Sequence, residues 1–398
     1  MRSIFTQPNI YTLFWLVYYM QNILYAGSST FSKLLALVFL ILSIYYFFKV
    51  HSEYKVSGWL KSLDVLVILF SLYGAILLLL GTDSTWMRTN FLATDFLKGS
   101  LLSFLPIYSF YYFTRKNMIS EKWLKIFLFV LLWFCMVRYY YEQEIALLES
   151  YNSDGVTNNA GYIWLAILPF IVLFEKRPVI QVTLYLLIAF FIISGMKRGA
   201  ILIFVLASAF FFWYRLKNAK QSQKLGFTLL IALALFFIAD YVRDLISSSS
   251  FFNARLQATL EGDTSQRDVI YMECWNAFKN SSPLNMIFGN GALGTMKVAG
   301  EYAHQDWLQT LVDFGILGII CVFSYFVSLF KALRDSKKYC TSQLYILYGV
   351  LFITYFVKTL FSMSLTSAEL MTTSLLGYCY GVYTIAKESP EPNIMENE

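Results

Sequence analysis

The feature that most restricts the fold is a succession of apolar runs, each about as long as a bilayer is thick. They fall at approximately 10–26, 31–48, 62–80, 100–113, 123–141, 159–174, 178–194, 199–214, 225–242, 306–330, 343–363 and 369–386. A helix needs roughly 20 apolar residues to cross the hydrocarbon core. Backbone in lipid must satisfy its own hydrogen bonds, which leaves helices or closed barrels. A barrel would show short alternating strands, whereas these runs are continuous. Composition agrees: 58% of the residues are hydrophobic and 14% charged, against about 25% charged in soluble domains. The expected fold class is an all-α polytopic integral membrane protein with about twelve transmembrane helices. It is expected to form a single membrane domain over residues 1–398, with one long outer loop at 243–305 that carries a short helix. The first run follows Arg2 without a small-residue cleavage site, so it reads as a retained span rather than a cleaved signal.

Lysine and arginine sort to the cytoplasmic side of short loops. With the N-terminus inside, the inside connections carry Lys49, Lys55, Lys61, Arg115, Lys116, Lys122, Lys176, Arg177, Arg215, Lys217, Lys220, Lys224, Lys331, Arg334, Lys337 and Lys338. The outside connections carry far fewer: Lys33, Arg88, Lys98, Arg138, Lys197 and Arg198. The acidic stretch with Glu142, Glu144, Glu149 and Asp154 falls outside. An even span count puts both termini in the cytoplasm. The long segment 243–305 then lies outside as a consequence, because long segments do not decide orientation. Within it, Ser265 and Asp268 have capping-box spacing, and a helix is expected through RDVIYMECWNAF, ending before Pro283.

The net charge of +6 carries no nucleic-acid signal in such a chain. Cys135, Cys274, Cys321, Cys340 and Cys379 are scattered without CxxC spacing, so neither a disulfide framework nor a metal site follows. No cofactor is implied.

The unusual polar residues gather on the expected outer face. In SGMKRGA (194–200), Lys197 and Arg198 place two cations on a short outside turn. They read either as a snorkelling pair bonded to headgroups or as an anion site. Arg267 falls in the first turn of its expected helix, where free N–H groups favour an anion. Its bland reading is an ion pair with Asp263 or Asp268. Arg255 belongs to the same basic set, with Arg243. His304 is one of two histidines, with His51, and directly precedes an apolar span. A lone histidine is more often structural, yet an imidazole at a membrane boundary suits a general base. Glu301, Asp306 and Asp313 lie near it in sequence and are the candidates to orient it, although helical spacing does not stack Asp306 on His304, so no dyad is assigned. FGNGALG (288–294) fits a dinucleotide fingerprint by spacing alone, but it lacks the strand before and helix after. Its glycines are expected to form turns. Lys358, inside a span, reads as snorkelling or as lining a cavity for an anion.

These residues resemble the O-antigen ligase and O-antigen polymerase superfamily of bacterial membrane glycosyltransferases. His304-Gln305, nine residues, then Gly315-Ile-Leu-Gly318 is similar to that family's C-terminal motif. NARLQATLEGDTSQRDVIYMECWNAFKNSSPLNMIFGNG (253–291) resembles its arginine-bearing outer helix, followed by proline and a Gly-x-Gly turn. SGMKRGA resembles its Ser-x-Ser-Arg-Gly turn, with Met196-Lys197 in place of the usual small residue. The resemblance is specific over 194–318. It implies a GT-C-like fold and a metal-independent, inverting transferase acting at the outer face of the inner membrane. The donor would be an undecaprenyl-pyrophosphate-linked oligosaccharide, and the acceptor lipid-linked or a core glycolipid. A chain-length regulator is a partner such systems use. By motif, Arg198 and Arg267 would bind pyrophosphate and His304 would assist transfer, giving a catalytic set of three. Lys197, Arg255, Gln305 and Lys358 form the expected substrate-binding set.

Polymerase and ligase share this chemistry. The His304-Gln305 and Gly315-x-x-Gly318 spacing suits the ligase form, and polymerases show related motifs. The expectation leans to polymerase because such chains are more diverse and tolerate departures such as SGMKRGA. A flippase or transporter would also have many spans, but it should place polar residues or broken helices near the midplane. A non-catalytic scaffold in polysaccharide assembly is the remaining alternative.

Overall fold

The computed structural model describes residues 6–25, 29–80, 93–149, 157–219, 221–262, 267–367 and 369–389. Arg88, Asp154, Lys220, Asp263 and Ser265 lie outside the described residues, and with them the capping box expected at Ser265. In chain order the helices are α1 (Gln7–Tyr25), α2 (Thr30–Glu53), α3 (Trp59–Leu80), α4 (Ala93–Arg115), α5 (Glu121–Glu149) and α6 (Gly161–Ile167). A 3-10 segment, Leu168–Phe174, leads to α7 (Pro178–Ser194), α8 (Arg198–Asn218), α9 (Gln221–Ser248) and α10 (Ser250–Leu260). Then follow α11 (Arg267–Lys279), α12 (Pro283–Phe288), α13 (Gly294–Ala299), α14 (Asp306–Tyr339), α15 (Ser342–Phe361) and α16 (Leu370–Glu388). No strand occurs among the described residues.

Each of the apolar runs read from the sequence is mainly helical over its described residues, with 168–174 in the 3-10 form, non-helical ends at 159–160, 362–363 and 369, and a break at Gly315. Among the described residues, seven helices, α2, α3, α5, α8, α9, α14 and α15, are long and apolar enough to cross a membrane. Gly161–Phe174 and Pro178–Ser194 are apolar but shorter. The run at 100–113 belongs to a longer helix, α4, whose first turns contain Thr94, Asp95 and Lys98. The segment 243–305 holds more helix than expected: the end of α9, then α10 to α13.

The described chain divides into two compact units. Among the described residues, the first comprises those within 1–118, 264–338 and 355–389, and the second those within 119–263 and 339–354. In the first, α4 packs against α2, α3 and α16. Its apolar surroundings leave hydroxyls few partners, and Ser100 and Ser103 donate to the carbonyls of Phe96 and Gly99 one turn back, each at 2.8 Å. Gly377 and Gly381, on the same face of α16, allow the closest approach to α4. A Cβ at Gly377 would overlap the Ile107 carbonyl oxygen, and one at Gly381 would lie 2.7 Å from Thr114 Cβ. Small residues at this spacing let backbones meet where lipid supplies no hydrophobic drive.

In the second unit, α7 begins with Pro178 at its first position and stacks Phe191 on Trp164 at 4.1 Å. Asn158, buried between α5 and α6 in the chain, fixes the turn that follows α7. Its backbone N–H donates to Gly195 O at 2.8 Å. Its side-chain amide donates to Tyr139 O at 2.8 Å and Gln143 Oε1 at 3.2 Å, and its Oδ1 accepts from Ala160 N at 2.8 Å.

The α4–α16 contact yields a direct expectation. Gly377→Val forces backbone against backbone, which side-chain motion cannot relieve, and should cost about 1–3 kcal/mol. A thermal melt of the detergent-solubilised protein should show a lower Tm than for Gly226→Val, where open space surrounds the glycine.

Candidate functional site

The site is built where α14 begins. Gln305 caps that helix: its Oε1 accepts from Leu308 N at 3.2 Å. His304, one residue earlier, is exposed and has φ +52°, the left-handed region. For a residue with a Cβ this conformation is uncommon, and such strain gathers at functional positions. Ala303, before it, is fully buried and donates its N–H to Gln309 Oε1 at 3.0 Å.

Asp306 and Asp313 are both engaged away from His304. Asp306, the first residue of α14, accepts from Ser364 N at 2.7 Å and Leu365 N at 3.3 Å. It thereby holds the turn between α15 and α16 against the start of α14. Trp307 adds a bond from Nε1 to Thr359 Oγ1 at 2.9 Å. Asp313 accepts from Thr295 N at 2.6 Å, Thr295 Oγ1 at 2.5 Å and Gln309 Nε2 at 2.7 Å. Two residues on, α14 breaks at Gly315, with φ 65° and ψ −161°. The carbonyls of Val312 and Asp313 lose their helical donors there. Asn290 N and Gly291 N replace them at 2.9 and 3.0 Å, and Asn290 Nδ2 adds a bond of 3.1 Å to Val312 O.

FGNGALG therefore serves as a backbone splint for a broken helix, and the element before it is the helix α12 rather than a strand. The approach is close. A Cβ on Gly289 would overlap the Asp313 carbonyl, and one on Gly315 would lie 2.5 Å from Ile287 O. Both glycines also carry positive φ.

Arg267 opens α11, and its guanidinium donates to Phe361 O at 3.0 Å, the last carbonyl of α15. A cation at a helix C-terminus satisfies an orphan acceptor and the dipole together. The same helix turns buried Cys274 into a cluster with Ala303 and Val312, flanked by Ile270, Phe278, Ala299 and Leu308. That cluster joins the helix of Arg267 to the segment of His304. Burial, with the Asp313 and Glu273 charges behind it, pushes the Cys274 thiol up to about 11. Tyr302, next to the corner, is pushed up to about 12 by burial and the charges of Asp313 and Asp95.

Lys358 is buried rather than extended to the membrane surface, and its ammonium pairs with Glu369 across the same turn. Sequence reading missed Glu369, although it immediately precedes α16 and follows Lys358 by little more than the connecting turn. It also passed over Gln309 and Thr295, and it offered Asp313 only as one of three carboxylates to orient the His304 imidazole, whereas Asp313 bonds Thr295 and Gln309. The legible signal was Gln309 and Asp313 at i, i+4 in an otherwise apolar stretch.

His304, Gln305, Arg267 and Lys358 belong to the first compact unit, and Lys197, Arg198 and Arg255 to the second. Met196, with φ 50°, ends the turn after α7; Lys197 is the N-cap of α8 and Arg198 its first residue. Both cations are half-buried, as is Arg255 on α10. Among the described residues, no three His, Cys, Asp or Glu side chains converge as a metal site.

These features describe a helical membrane protein with a rigidly held, exposed histidine beside an arginine-bearing helix. Residues 183–323 match the model of a family described as O-antigen ligase. The match spans Lys197, Arg198, Arg255, Arg267, His304 and Gln305 and supports the O-antigen ligase and polymerase superfamily, whose members are glycosyltransferase-like enzymes. No curated protein matches the chain.

Two measurements check this geometry. Lys358→Met strands the Glu369 carboxylate, which is 12% exposed, and should cost about 3–5 kcal/mol. Lys358→Met with Glu369→Met should recover most of that loss in a thermal melt. With the other four cysteines replaced by serine, Cys274 should resist maleimide at neutral pH. Its labelling should rise only as pH approaches 11, where the buried thiol ionises.

Proposed function

We propose that the protein is a surface-polysaccharide polymerase of the bacterial inner membrane, with both termini cytoplasmic. It transfers glycan from an undecaprenyl-pyrophosphate-linked donor to a hydroxyl of a lipid-linked repeat unit at the outer face. The observation that carries this reading is the His304 corner: an exposed imidazole at the mouth of an apolar helix, beside the helix of Arg267. A polyprenyl tail lies in lipid and its sugar in water, so the chemistry belongs at that boundary.

In this reading His304 accepts the acceptor hydroxyl proton as the oxygen attacks the anomeric carbon. The bond from that carbon to the pyrophosphate oxygen breaks, with inversion and without a metal ion. Arg267 stabilises the charge developing on the leaving pyrophosphate, and the motif assigns Arg198 the same role. Lys197 and Arg255 are the further cations that this reading assigns to the donor. Gln305 and Lys358 act on substrate indirectly, Gln305 by capping α14 and Lys358 by its pairing with Glu369. A chain-length regulator is a further partner of this reading.

The family description favours a second reading: a ligase that passes finished glycan to lipid A–core or another acceptor. A flippase finds less support. The break in α14 is closed by Asn290 and Gly291, so it does not offer unwound carbonyls to a transported ion.

Deletion in the native host, followed by gel analysis of extracted glycolipids, separates the readings. Single repeat units on the acceptor indicate a polymerase. Long glycan retained on undecaprenyl pyrophosphate indicates a ligase. Complementation by His304→Ala or Arg267→Ala at normal expression should fail, each lowering transfer by about 10²–10⁴-fold. Full complementation by His304→Ala would remove its catalytic role.

A further inference from the structure

We infer that Gln309 and Asp313 form a positioning relay that fixes the His304 backbone for catalysis. The inference rests on His304 acting as the base in glycan transfer. The relay runs from Thr295 through Asp313 and Gln309 to the N–H of Ala303. Thr295 donates to Asp313 Oδ1 from its backbone N and its hydroxyl, at 2.6 and 2.5 Å. Gln309 Nε2 donates to Asp313 Oδ2 at 2.7 Å, and Ala303 N donates to Gln309 Oε1 at 3.0 Å. Each of these residues is at most 5% exposed.

The polarity of the chain of bonds has one solution. A carboxylate only accepts and a backbone N–H only donates. The Gln309 amide between them must therefore present N–H to Asp313 and oxygen to Ala303. On the other side of His304, Gln305 caps α14 and accepts at its carbonyl from Gln309 N at 3.0 Å. Gln309 thus ties down the residues on both sides of His304, one through its side chain and the other through its backbone. His304 between them is exposed and holds the left-handed conformation. Strain of this kind persists only where the surroundings over-determine it, and the relay supplies that constraint. Asp313 itself is 2% exposed, with both oxygens occupied by protein donors, so it acts through Gln309.

The test exploits the polarity. Asp313→Asn sets an N–H against Gln309 Nε2, or forces the Gln309 amide to flip its N–H toward the N–H of Ala303. Gln309→Glu sets carboxylate against carboxylate. The double variant Gln309→Glu with Asp313→Asn rebuilds every bond with the middle one reversed. The introduced asparagine still accepts from Thr295 at its Oδ1, and its amide donates to the introduced glutamate. That glutamate in turn accepts from the N–H of Ala303. One negative charge remains, as in the native protein.

Purified full-length protein would be assayed with lipid-linked oligosaccharide extracted from the deletion strain, alongside thermal melts. Each single variant should lower kcat about tenfold or more with KM nearly unchanged, because misplacing a base affects the transition state rather than ground-state binding. The double variant should recover to within about threefold of native kcat. Singles with native kcat, or a folded double variant no better than the singles, would overturn the relay. If the singles do not fold, the double variant alone decides: folded and active supports the relay, folded and inactive overturns it. His304→Ala with native kcat would instead overturn the functional reading. His304→Ala inactive beside a fully active Asp313→Asn overturns the relay alone.

Discussion

The break in α14 at Gly315 is the constraint on which the rest of the first unit depends. A helix interrupted within an apolar run exposes carbonyls that lipid cannot satisfy. Here the carbonyls of Val312 and Asp313 are taken by the N–H groups of Asn290 and Gly291. That exchange ties the turn after α12 to α14, and it requires glycine at both 289 and 315 because their backbones nearly touch. It also fixes Asp313, whose side chain receives Thr295 from the start of α13. One local failure of helix geometry thus organises α12, α13 and the start of α14 as a single polar scaffold.

The scaffold explains how an apolar chain presents a well-defined polar corner. Polar groups buried in such surroundings are costly unless fully paired. Around His304 the pairing is extensive: Asp306 with the backbone of Ser364 and Leu365, Gln309 with Asp313 and Ala303, Trp307 with Thr359, Lys358 with Glu369. Arg267 adds the last carbonyl of α15. These bonds converge on two short segments, 303–313 and 358–369. Each segment is held through backbone atoms, so its position follows from hydrogen-bond geometry rather than from side-chain packing alone. The apolar cluster of Cys274, Ala303 and Val312 then brings α11 alongside.

The second unit uses a different device for its cationic turn. Asn158 reaches its partners through both backbone and side chain, and one of them is the carbonyl of Gly195. Lys197 and Arg198 therefore stand on a turn whose backbone is fixed from below. Their placement at the N-terminus of α8 sets cations where the helix dipole disfavours them.

Hydrophobic run length determined much from the sequence alone. Every apolar run is mainly helical where it is described, because lipid-facing backbone has few alternatives and length is a one-dimensional property. The family resemblance was likewise readable from three short motifs, and its segment lies within the one matched by the O-antigen ligase family. The roles inside those motifs were decided only by tertiary structure. Gly289 and Gly315 look like turn and packing residues until their backbones are seen to meet. Lys358 looks like a snorkelling cation until folding brings Glu369 to it. Gln309 and Asp313 look like polar residues on a helix face, and their use depends on which donors and acceptors the fold brings opposite them. Hydrogen bonds are short and directional, so the pattern of residue types names the candidates while three-dimensional proximity chooses among them.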